Sequence, residues 1–131
     1  MLKFFYELDF RDYGLESNRS GIKALVEGTQ DYLWDKAGLV SSRNPNAQFD
    51  ISLTEDTRRA RAIIALRAKN GNQEGLDCAF LDFIDNAGAP TGVLTSVEDP
   101  ILTNALWNRG VDVEIDNLAG TRYWKVIPRQ K

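Results

Sequence analysis

Strict alternation of apolar and charged side chains is the feature that most constrains this chain, because it commits several segments to a half-buried sheet. Residues 3–11, KFFYELDFR, and residues 49–54, FDISLT, both show this two-residue period. In the first segment the apolar positions are Phe4, Tyr6, Leu8 and Phe10. Successive side chains of a strand point to opposite faces, so each segment predicts a strand with one face toward a core.

Residues 58–69, RRARAIIALRAK, form the most basic stretch of the chain, with five of its sixteen Lys and Arg residues and no acid. The five are Arg58, Arg59, Arg61, Arg67 and Lys69. A helix would place Arg67 among apolar side chains, whereas a strand sorts the run into an apolar face and a basic face. We therefore predict a strand, although Ala, Arg and Leu are good helix formers.

Residues 76–85, LDCAFLDFID, are interpreted as the antiparallel partner of that basic strand. A register that sets Arg67 opposite Asp77 also sets Arg59 opposite Asp85. The basic run is then a solvated strand face neutralised by neighbouring acids. Two alternatives stay open for it: a patch that contacts phosphates, and a face that docks an acidic protein.

Two segments have helical spacing and helix-end signals. Residues 17–40 predict a first helix, with Ser20 as its cap and Gly38 at its end. Residues 98–110, EDPILTNALWNRG, predict a shorter one, capped by Asp99 and ended by Gly110.

The tail, residues 111–128, predicts a hairpin of two strands. Its first strand is expected to point Val111, Val113 and Ile115 at the core, and NLAG is expected to make the turn. Setting Val113 opposite Trp124 gives matched charges on the outer face.

Together with a short strand expected over residues 93–98, VLTSVE, these segments predict a single α+β domain over residues 1–131, in the order β-α-β-β-β-β-α-β-β. The expected architecture is a mainly antiparallel sheet with two helices packed on one face. A chain of this length suits one domain.

The absence of histidine excludes most catalytic chemistry familiar from enzymes. Without His there is no Ser-His-Asp or Cys-His arrangement, and with Cys78 as the sole cysteine there is no thiolate zinc site. No glycine-bearing stretch matches a phosphate-binding loop, so no small-molecule site is evident. We expect no enzyme activity, no cofactor and no metal.

Net charge and cysteine content limit the classes of partner and the cellular compartment that we expect. The pI near 5.0 disfavours polyanions as partners. The chain shows neither a signal peptide nor a transmembrane segment, and the single cysteine is typical of a reducing environment. We therefore expect a cytoplasmic protein, which can then be incorporated into a particle, and no membrane partner.

Three aromatic residues are expected outside the apolar stripes of their elements, namely Tyr32, Trp107 and Tyr123. Outward aromatics are enriched at the centres of protein interfaces. The residues proposed for a protein interface are therefore Tyr32, Trp107, Tyr123, Arg58, Arg59 and Arg61.

Three functions remain open from the residues alone. The first is a non-enzymatic protein-interaction module: an assembly subunit of a virion or secretion-apparatus type, self-associating or with a partner, or a small inhibitor or immunity-type protein. The second is nucleic-acid binding through Arg58, Arg59, Arg61, Arg67 and Lys69. The third is a metal-dependent hydrolase built on carboxylates such as those of residues 112–116, DVEID.

Overall fold

The computed structural model describes residues 3–45, 47–69, 73–94, 100–118 and 121–128. In these ranges the strands are β1 (Lys3–Asp9), β2 (Phe49–Asp56), β3 (Arg61–Ala68), β4 (Gly92–Leu94), β5 (Val111–Leu118) and β6 (Thr121–Pro128). The helices are α1 (Arg19–Arg43), α2 (Gln73–Ala87) and α3 (Pro100–Asn108). Short 3-10 helices, Phe10–Tyr13 and Thr57–Arg59, follow β1 and β2.

The strands form one sheet in the order β2-β3-β1-β4-β6-β5, and all of its neighbouring pairs are antiparallel. The predicted α+β class is therefore confirmed. The alternating segments become β1, β2, β3, β5 and β6, but β1 and β3 are shorter than predicted, because Phe10, Arg58 and Arg59 lie in the 3-10 helices. None of the described helices is long and apolar enough to cross a membrane.

The interpretation of residues 76–85 as a strand was wrong, because they lie in helix α2. The buried positions of α2 follow a helical spacing: Leu76, Ala79, Phe80, Phe83 and Ile84. This spacing of three and four residues places them on one helix face, and it outweighs the partial alternation of the same letters. The fold therefore has three helices in its described part rather than two, in the order β-α-β-β-α-β-α-β-β.

Helix α1 extends further than its sequence signals indicated. Asn18 rather than Ser20 caps it, with its Oδ1 accepting a hydrogen bond from the backbone N–H of Gly21 at 2.9 Å. The helix passes through Gly38 and ends at Arg43. Val40, beyond that glycine, is fully buried, and burying such a side chain offsets the roughly 1 kcal/mol that glycine costs within a helix.

The predicted tail hairpin is confirmed with a register two residues away from the expected one. Val113 pairs with Val126, and Ile115 pairs with Trp124. A shift of two residues keeps every side chain on its face, which explains why the face assignment survives. The proposed Asp99 cap and the centre of the NLAG turn lie outside the described residues.

The sheet has one covered face and one open face. On the covered face Phe4, Leu66 and Val93 belong to the same buried cluster as side chains of all three helices. The open face, which carries Phe5, Ala65, Gly92 and Lys125 in one lateral row, contributes nothing to that cluster. The fold is thus two layers, and the helices pack on one face as predicted.

Candidate functional site

A groove lies between helix α3 and the edge strand β5, and its volume is about 570 Å³. Trp107 of α3 forms one wall, and Val113 and Ile115 of β5 form the other, with Trp124 of β6 between them. Asp112 also lines the groove although its side chain belongs to the opposite sheet face, so the groove opens at the free edge of β5. Most of the surface that lines the α3–β5 groove is apolar.

The exposure of Ile115 corrects the expectation that it faces the core. It lies on the covered face beside Trp124, yet 45% of its surface is exposed. Helix α3 has nine residues and reaches about 13 Å, whereas the eight residues of β5 extend over about 27 Å. The helix therefore covers Val111 and leaves Ile115 in the open part of the groove.

The outer side of β5 has no neighbouring strand among the described residues. Along it, the backbone N–H of Val113 donates to Oδ1 of Asp112, and the N–H of Asn117 donates to Oδ1 of Asp116, both at 2.8 Å. Val126, which pairs with Val113, donates its N–H to Thr91 on the β4 side, so the N–H of Val113 points away from β6 and toward the free edge. Alternate N–H groups of a strand point the same way, so those of Ile115 and Asn117 face this edge as well. Two carboxylates thus occupy donors that a further strand would use.

The open-face side of β5 is an acidic row. Its members are Asp112, Glu114 and Asp116, all exposed. Lys125 of β6 lies opposite Glu114 in the register, and the hydroxyl of Tyr123 donates to Oδ2 of Asp116 at 3.4 Å. Burial, together with the negative charge of Asp116, raises the pKa of the Tyr123 hydroxyl above its ordinary value.

The basic run occupies the other end of the sheet, in and beside β3, and acids of β1 and β2 neutralise most of it. Asp50 contacts Nζ of Lys69 at 2.8 Å and Nη2 of Arg67 at 3.2 Å. The hydrogen bonds from Lys69 and Arg67 hold the pKa of Asp50 below its ordinary value.

Two further arginines of the run are paired as well. Arg61 approaches Glu7 at 3.4 Å, and Arg59 approaches Asp56 at 3.6 Å. Among the residues that the structure describes, Arg58 alone of the five bases has no ion-pair partner. The partners expected from residues 76–85 were wrong, and the neutralising acids come from β1 and β2.

The six residues proposed for a protein interface do not form one surface. Arg58, Arg59 and Arg61 lie at the β2–β3 connection, and β3 is four strand positions from β5, about 19 Å away. Tyr32 donates from α1 to the backbone oxygen of Asn86 at 3.5 Å.

Tyr123 lies on the open face, and only Trp107 reaches the groove. The sequence did not indicate Ile115 as part of a surface. It alternates with acids, and a buried residue of a half-buried strand shows the same pattern.

A second cavity, of about 690 Å³, lies between the start of α1 and the opposite edge strand β2. Its rim carries Glu16, Glu27 and Glu55 together with Arg19 and Lys23. Charges of both signs line it, so it presents no single ligand chemistry. In the described part of the chain, no three Asp, Glu or Cys side chains come together as a metal-binding group.

Comparisons with known proteins yield no relative. No protein-family model, no curated protein and no solved structure matches this chain.

Proposed function

We propose that this protein is a non-enzymatic protein-interaction module that binds its partner at the α3–β5 groove. The observation that carries the proposal is the exposure of two large apolar side chains, Trp107 and Ile115, at 45% each on opposite walls of one groove. Aromatic anchors in concave apolar sites supply most of the binding energy at protein interfaces. Removing both side chains from water would therefore favour association.

The surroundings of the groove resemble an interface rim. Polar side chains of α3, Thr103 and Asn104, border it on one side, and Asp112 borders it on the other. A polar rim around an apolar centre is the usual anatomy of a binding surface. The basic run lacks this anatomy, because four of its five charges are already paired with neighbouring acids.

The size of the groove favours recognition of a short segment of the partner. A standard interface buries about 800 Å² on each partner, which is more surface than one groove of this size offers. An inhibitor or immunity-type protein can bind a segment of its target in this way, and an assembly subunit can bind a segment of the next subunit. Both forms remain within the proposal.

A displayed library of random peptides, panned against the folded protein, tests the proposal. Trp107→Ala and Ile115→Ser should each weaken the selected peptides at least tenfold, since each substitution removes one wall of the groove. Trp34→Ala is the matched control, because Trp34 is 60% exposed on α1 and does not line the groove. Thermal unfolding of each variant checks that it remains folded.

The proposal would be wrong if panning selects no peptides. It would also be wrong if the selected peptides bind Trp107→Ala and Ile115→Ser as tightly as the original protein.

A further inference from the structure

We propose that the α3–β5 groove binds an extended segment of alternating basic and apolar residues, which adds to β5 as a further strand. This inference rests on the proposed function and names the chemistry of the partner. It follows from three properties of β5: its free backbone edge, its acidic row and its apolar side.

The backbone edge of β5 has outward N–H donors that a further strand can use. The outward N–H groups of Val113 and Asn117 are held by the carboxylates of Asp112 and Asp116 at 2.8 Å. Carbonyl oxygens of an added strand would take over these donors, and the released carboxylates would turn to the side chains of that strand. Main-chain pairing of this kind is an established mode of peptide recognition.

The two faces of β5 dictate what the added strand must carry. Its side chains alternate between the faces, so one set lies beside Asp112, Glu114 and Asp116. These acids recur about every 7 Å, which is the spacing of alternate residues in an extended chain. Basic side chains at every second position therefore complement them.

The other set of side chains lies beside Val113, Ile115 and Trp107, in the apolar part of the groove. Apolar side chains at the intervening positions would remove this surface from water. The pattern required of the partner is thus basic, apolar, basic, apolar.

A second copy of this protein does not meet these requirements. Two β5 edges placed side by side would bring acidic rows together, and like charges in adjacent strands are destabilising. The opposite edge, β2, carries Asp50, Ser52, Thr54 and Asp56 on its open face and no base. Acidic edges of this kind discourage pairing between copies. The segment must come from a different chain.

Fluorescence anisotropy with labelled synthetic peptides tests this inference. The peptide KVKVKVK should bind at least tenfold more tightly than KKKKVVV, which has the same composition in two blocks. N-methylation of alternate backbone amides gives the sharper contrast. One alternate set should abolish binding and the complementary set should leave it unchanged, because only one edge of an added strand donates to β5.

Charge is tested with Asp112→Asn, Glu114→Gln and Asp116→Asn combined in one variant. This variant should bind KVKVKVK at least tenfold less tightly at 50 mM salt and should lose most of the salt dependence. The control is Glu27→Gln, Asp31→Asn and Asp35→Asn combined, which removes three exposed charges from α1 and should change the affinity less than twofold. Trp107→Ala should weaken binding at least tenfold.

Equal binding of the two peptides, or equal effects of the two methylation sets, would overturn the strand mode. The proposed function would survive that result as long as peptides from panning still depend on Trp107 and Ile115. Light scattering gives a further test, because it detects dimers. If the protein dimerises through β5 and the dimer cannot bind KVKVKVK, the segment that binds β5 comes from a second copy, and the inference of a different chain is wrong.

Discussion

The ring of Phe5 on β1 packs against the ring of Tyr123 on β6, with centroids 5.4 Å apart, across the intervening strand β4. Gly92 of β4 lies beneath this contact and has no side chain to separate the rings. Phe5 is consequently only 4% exposed, although it lies on the open face. A glycine in a strand that allows close approach of neighbouring groups has a clear physical role.

Gly92→Ala should therefore destabilise the fold. A Cβ at position 92 would overlap the ring of Phe5 and lie 2.8 Å from Cδ2 of Tyr123. Overpacking of this kind costs about 1–3 kcal/mol, which urea denaturation resolves easily.

Gly28→Ala in α1 is the matched control, because no atom lies within 4 Å of a Cβ placed there. It should stabilise the fold by about 0.5–1 kcal/mol. Equal effects of the two substitutions would contradict the contact between Phe5 and Tyr123.

Asp82 of α2 joins the end of α1 to α2. Its carboxylate accepts hydrogen bonds from Nη2 and Nε of Arg43 at 2.7 and 3.0 Å, from Asn44 at 3.0 Å and from Asn86 at 2.9 Å. Asp82→Ala should lower the free energy of unfolding by about 2 kcal/mol, because several charge-assisted bonds are lost together. Chemical denaturation measures this loss.

The control for that experiment is Glu27→Gln. Glu27 makes a single ion pair with Lys23 at 3.9 Å on the exposed surface of α1. Such pairs contribute little, so unfolding should be nearly unchanged. If Glu27→Gln lowers the free energy of unfolding as much as Asp82→Ala does, the hydrogen bonds of Asp82 do not specifically stabilise the packing of α1 on α2.

Asp9 should make stability depend on acid pH. Hydrogen bonds from the side chain of Arg11, then from its backbone N–H, hold the pKa of Asp9 at about 2, below its ordinary 3.8. A carboxyl whose pKa is lower in the folded state contributes stability above pH 4, and this stability is lost as the pH falls toward 2. Asp9→Asn should therefore flatten the decline of the urea midpoint between pH 4 and pH 2.

Arg11→Ala tests the cause of that shift. Without the guanidinium, the pKa of Asp9 should rise part of the way toward 3.8, because the backbone N–H of residue 11 still donates to it, and the decline should flatten less than in Asp9→Asn. Adding Arg11→Ala to Asp9→Asn should change the decline no further, because Asp9→Asn has already removed the titrating carboxyl. A steeper decline in either variant would contradict this assignment.

Nucleic-acid binding through residues 58–69 is expected to be weak. Four of the five bases already contact Glu7, Asp50 or Asp56, which leaves few charges to displace counterions from phosphates. A labelled oligonucleotide should bind with a Kd above about 10⁻⁴ M at 150 mM salt. Tighter, strongly salt-dependent binding that Arg58→Ala and Arg67→Ala abolish would instead support the nucleic-acid alternative.

The sequence by itself determined the strand character of most of the sheet. In β1 and β3 the alternating pattern specifies which side chains face the helices, whereas the burial of Phe5 on the open face comes from its contact with Tyr123. The sequence likewise indicated that the basic face of β3 is neutralised. It could not indicate which acids neutralise this face, because Asp50 and Glu7 come from strands that adjoin β3 only in the folded sheet.

Only the tertiary structure decided the nature of residues 76–85 and the position of the candidate site. Ten residues with both a partial two-residue period and a helical period fit either element, and packing of Phe80 and Phe83 on the covered face selected the helix. Ile115 occupies a sequence position that is typical of a buried residue in a strand. It became a surface because β5 lies at the sheet edge and α3 is too short to cover it, and no local pattern encodes either fact.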